Sequence, residues 1–210
     1  MGRHIVLCAL AAASMASTIL FPGASLAADL SLAEPTQTLS NNGAPSGCTI
    51  DFHIIHPEGS RGGRHVGLSG GVAILMHGQT FRAVVRLGVA DNPTVQPVRH
   101  VAPGTVLIRQ GAQTNAADVA TSWTDESGFL NTAYTMPGQQ TAHALSTLAT
   151  TGRLQLSYAR QGAQRQEPFE LDIAARANGA RDASSVARWG ACQGLLVAAA
   201  LNAQRGQHAR

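Results

Sequence analysis

The clearest signal in the chain is strict alternation. Phe81, Ala83, Val85, Leu87 and Val89 are separated by Arg82, Val84, Arg86 and Gly88. A period of two turns the first set toward a core and puts Arg82 and Arg86 side by side on the other face. Val72, Ile74 and Met76 lead into this segment through His77-Gly78, where glycine supplies the positive φ of a tight turn. Residues 72–89 therefore read as a β-hairpin. Upstream, Thr49–Ile55 is rich in β-branched residues and closed by Pro57, which predicts another strand.

Downstream, Pro97 limits residues 95–101 to an edge strand, and Pro103-Gly104 turns the chain into a short strand, Thr105–Arg109. Residues 110–120 are small and polar and carry no periodicity. Ser122–Thr124 reads as a brief strand, Asp125–Gly128 as a turn and Phe129–Met136 as a further strand. Pro137 suits the first turn of a helix, where its missing N–H costs nothing. Ala142, Leu145, Leu148 and Ala149 then recur at helical spacing, and Gly152 fits the position just past a helix end. Leu154, Leu156 and Tyr158 form one strand face, Gln161-Gly162 a turn, and Phe169, Leu171 and Ile173 the inward face of the next strand, with Glu170 and Asp172 outward. A helix is predicted from Ala183 onward. Its segment Gly194–Ala203 is nearly all apolar, and packing onto the protein's own sheet is the expected use of that surface. The pattern gives a mainly β (α+β) fold: an antiparallel β-sandwich-like domain with one short helix between strands and a C-terminal helix.

The N-terminus changes the picture of where this domain works. Arg3 and His4 precede an apolar run, Ile5–Leu20, followed by Pro22-Gly23 and by Ser25-Leu26-Ala27-Ala28. That is the layout of a secretory signal peptide spanning residues 1–27, too short and Ala-rich for a membrane span. No stable span is expected after cleavage, and the predicted location is periplasmic or secreted. Cys8 lacks the small preceding residue of an acylation site and leaves with the signal. Residues 28–47 are rich in Ser, Asn, Thr and Pro and read as a flexible N-terminal segment. Residues 48–204 read as a single β-rich domain and 205–210 as a polar tail. Cys48 and Cys192 lie near the two ends of that domain, and in an oxidising compartment they predict a disulfide.

Charge narrows the partners. All fifteen Lys+Arg residues are Arg, set against twelve acids, for a net charge of +3. The charges are scattered, with no basic cluster of the nucleic-acid-binding kind, so no nucleic-acid partner is expected.

Three patterns carry candidate chemistry. Asp51, His53, His56 and His65 are the densest group of potential metal ligands, and a transition metal is the cofactor they would take. Gly67-Leu68-Ser69-Gly70-Gly71 matches G-x-S-x-G, but a nucleophile elbow needs a strand-to-helix turn, and Ser69 leads into a hairpin. Asp125-Glu126 reads as a solvated turn. No catalytic residues are assigned.

The layout from residue 101 to 187 resembles the invasion-associated locus B family of exported bacterial proteins. The resemblance rests on Pro103-Gly104-Thr105-Val106-Leu107-Ile108, then Ser122-Trp123-Thr124 through Gly128-Phe129-Leu130, the helix Gln140–Thr150, and the strand pair Leu154–Tyr158 and Phe169–Ile173. Family members commonly carry a cysteine pair flanking the Gly turn, where this chain has none. The resemblance implies an exported β-rich domain without an enzyme site, linked to host-cell interaction. The leading expectation is thus a non-catalytic exported binding or accessory protein with a protein partner. The alternatives are a periplasmic metal-binding protein using Asp51, His53, His56 and His65, and a small non-catalytic subunit of a periplasmic enzyme or secretion complex. In the last case Gly194–Ala203 would be the docking face.

Overall fold

The computed structural model describes residues 30–91, 98–109, 118–124, 130–176 and 179–208. The predicted signal segment, the Asp125–Gly128 turn and Phe129 lie outside them.

Two antiparallel sheets face each other. The larger is built on a meander of three long strands, β3 (Ala44–Glu58), β4 (Arg64–His77) and β5 (Thr80–Asp91). On the outer edge of β3 lie two short strands, β1 (Leu30–Ala33) and β2 (Gln37–Asn41). On the far edge of β5 lie β6 (Arg99–Val101) and β9 (Leu130–Thr135), and β8 (Asp118–Thr124) pairs with β9. The smaller sheet has the order β11 (Glu167–Asp172), β10 (Arg153–Arg160), β7 (Pro103–Ile108). The chain crosses between sheets at Ala102: Val101 pairs with Val89 in one, and Pro103 pairs with Arg160 in the other. Buried Tyr134 fixes this corner by donating its hydroxyl to the Pro103 carbonyl at 2.7 Å.

The core lies between the sheets and follows the alternation read from the sequence. Cys48, Ile50, Phe52 and Ile54 from β3 meet Leu154, Leu156, Tyr158, Phe169 and Leu171 from the small sheet, all buried. Phe169 sits centrally, with ring centroids 6.1 Å from Phe52 and 6.0 Å from Tyr158, the latter edge-on. Ala83, Val85, Leu87 and Val89 are buried as predicted, while Phe81 is only partly covered.

Helix α1 (Gly138–Thr150) closes the sheets where their strands stop. Its first turn buries two polar side chains, Gln140 and Thr141, beside the predicted Leu148. Gln140 accepts the Ile108 N–H at 2.9 Å, and Thr141 accepts the Ala83 N–H at 3.0 Å. Both amides sit where ladder partners run out, so the helix satisfies backbone groups that would be costly to leave alone. Gly152 ends the helix at φ 68°, and a β-carbon there would approach Val186 to 2.5 Å. Any other residue would be both strained and too large.

Three expectations need correction. The segment read as flexible, residues 28–47, contributes β1, β2 and the start of β3 from Leu30 onward, because its polar residues lie on a solvent-facing edge. The strands of the central meander are longer than predicted. Pro57 continues β3 opposite His65, and Gly67, Gly70 and Gly71 are accommodated inside β4. The polar tail is also shorter: helix α2 (Ser184–His208) runs on to His208.

Candidate functional site

Two places stand out, about 33 Å apart along the long strands (ten residues of β3 at about 3.3 Å each). One is ionic and the other apolar.

The ionic cluster gathers at the β3–β4 turn, a single 3-10 turn at Gly59–Arg61. Inward alternation along β3 ends in Glu58, which is 0 % exposed. Its Oε1 accepts the Tyr158 hydroxyl at 2.6 Å and Arg160 Nε at 2.8 Å, and its Oε2 accepts Arg160 Nη2 at 2.7 Å. The same Arg160 Nη2, with Arg61 Nη1, donates to buried Asp91 at the end of β5. Glu167, also buried, accepts the N–H groups of Gly59 at 2.9 Å and Ser60 at 2.8 Å, with Arg165 Nε at 3.7 Å. Burial by itself raises a carboxyl pKa, but both carboxyls are held below their ordinary values. Arg160 and then Arg61 lower Asp91, and the Ser60 and Gly59 donors, then Arg165, lower Glu167. The Tyr158 hydroxyl is pushed far up by burial and by the adjoining Glu58 carboxylate. These groups answer one another, and the cluster joins the turn to β5, β10 and β11.

The predicted metal set does not converge. Pleating puts Asp51 and His53 on the outer face of β3 and turns His56 inward, where it is buried with its ring 6.3 Å from that of Phe169. His65 is exposed and lies four residues along β4 from Ser69, the partner of His53, or about 13 Å. Asp51 is engaged elsewhere, accepting Arg86 Nη2 at 2.8 Å across β4. That reach passes over Gly71, where a β-carbon would lie 2.3 Å from Asp51 Oδ1. Among the described residues no three His, Cys, Asp or Glu side chains gather closely enough to hold an ion. Ser69 lies inside β4, paired with His53 and Gly88, and not at a strand-to-helix turn.

The apolar place is formed by α1 and α2. The Cys48–Cys192 disulfide, predicted from the sequence, ties α2 to β3 with a Cα separation of 6.0 Å. Asp182 starts the helix, accepting the Ser184 N–H with Oδ1 at 3.0 Å and the Ser185 N–H with its carbonyl at 3.0 Å. Asp182 also binds Arg188 and Arg176, whose guanidinium reaches the Ala33 carbonyl at 3.0 Å. Trp189, Cys192 and Leu196 form the buried side of α2. Around and beyond Leu196 the rest of the apolar run does not pack as predicted: Leu195 is 51 % exposed, Val197 48 % and Leu201 49 %. Between α1 and α2 lies a groove of about 430 Å³, lined chiefly by Phe81, Ala142, Leu145, Ala149, Leu196 and Val197. Its one amide side chain, Gln193, is tied down to the Leu145 carbonyl at 3.3 Å. Sequence reading found the apolar run but could not tell which side of it would be covered. Among the described residues no helix is long and apolar enough to cross a membrane.

Searches against protein-family models, curated proteins and solved structures found no match to the chain.

Proposed function

We propose that the protein is an exported, non-catalytic binding or accessory protein that works through the exposed apolar surface of α1 and α2. One observation carries this reading: the stretch Gly194–Ala203 of α2 is apolar on nearly all sides and largely uncovered, and an apolar groove lies beside it. A helix apolar all round is ordinarily buried, and exposed apolar patches mark contact sites. Uncovered Leu195, Val197 and Leu201 fit a protein surface that becomes covered by a partner. The disulfide is compatible with the oxidising compartment that the N-terminal segment implies. The resemblance to the invasion-associated locus B family points to the same class, an exported β-rich domain acting by contact.

Site-specific photo-crosslinking tests the reading. A photoreactive residue at Leu201, carried by the full chain in exporting cells, should give protein adducts in the exported fraction. The same residue at exposed Arg82, on the outer face of the large sheet, should give none. Equal labelling at both positions, or retention of the chain in the cytoplasm, would sink the proposal.

A further inference from the structure

We draw no further inference here: the strongest candidate, the apolar groove between α1 and α2 with the exposed Leu195, Val197 and Leu201 beside it, belongs to the docking surface already proposed, and nothing in the structure shows what covers it.

Discussion

At the Glu58 end of the sandwich, charged groups meet their partners inside the chain. At the Cys48 end, apolar groups are left facing water. The first region holds three buried carboxylates, and at first sight it is the more chemical of the two. Yet Glu58, Asp91 and Glu167 are engaged by Arg160, Arg61, Tyr158 and two backbone N–H groups. The second region holds no charge at its centre, and its Leu195, Val197 and Leu201 lack cover. A dense set of ionisable residues signals function only when some of its bonding capacity remains open. Here the ionic end is a structural fastening and the apolar end is the open surface.

The largest expected effect comes from unfastening the ionic end. Arg160→Ala leaves Glu58 fully buried and Asp91 nearly so, each without its main counter-charge. Removing one partner of such a pair costs about 3–5 kcal/mol. The urea midpoint should fall accordingly. Arg86→Ala is the matched control, because Arg86 and Asp51 form a half-exposed pair with side chains 37 % and 36 % accessible. Exposed pairs contribute less than about 1 kcal/mol. Equal losses from the two variants would show that burial does not separate them.

A smaller effect is expected from loosening the apolar end. Replacing both Cys48 and Cys192 by Ser should cost about 2–4 kcal/mol. Trp189 and Leu196 still bury α2 against the sheet, so the helix should stay docked, and circular dichroism should report unchanged helix content. Loss of the α2 signal would mean that the bridge alone holds the helix down. In either case the exposed half of α2 keeps its sequence and its apolar surface.

These two ends were unequally legible in the sequence. The alternation from Phe81 to Val89, the helix before Gly152 and the pairing of Cys48 with Cys192 could be read directly, because each depends on local spacing or on the two cysteines that remain once Cys8 is assigned to the predicted signal segment. Glu58 could not be recognised as buried: it follows Pro57, and its partner Arg160 is 102 residues away. Gln140 and Thr141 look like ordinary first-turn polar residues until the structure shows strand amides ending above them. Asp51, His53, His56 and His65 are close in sequence, but strand pleating sends His56 to the opposite face and pairing carries His65 along β4. The β1 and β2 strands are hidden because edge strands in contact with water need little apolar sequence. The exposure of Leu195, Val197 and Leu201 depends on where the body of the protein stops, which no helical period encodes.

The gentlest probe of the contrast is pH, which acts on the interior polar groups and leaves the apolar face alone. The chain has two tyrosines, and both are buried. Burial pushes the Tyr134 hydroxyl up to about 12 against a weaker opposing hydrogen bond with Thr132. Tyr158 is raised further, by burial and then by Glu58. A raised folded pKa favours the protonated phenol, so this contribution to stability is complete below the unfolded value of about 10 and is lost as pH rises toward the folded values. For Asp91 and Glu167 the sign is opposite. Their depressed pKa values give stability that is complete above the unfolded carboxyl range of about 4 and lost as pH falls through the folded values. Tyrosinate absorbance in the native protein should therefore stay flat through pH of about 10 and rise only with alkaline unfolding, for both residues together. One tyrosine titrating reversibly near its ordinary value in folded protein would place water at the Glu58–Tyr158 contact or at the Pro103 corner. The ionic end would then have an opening of its own, and the difference between the two ends would narrow.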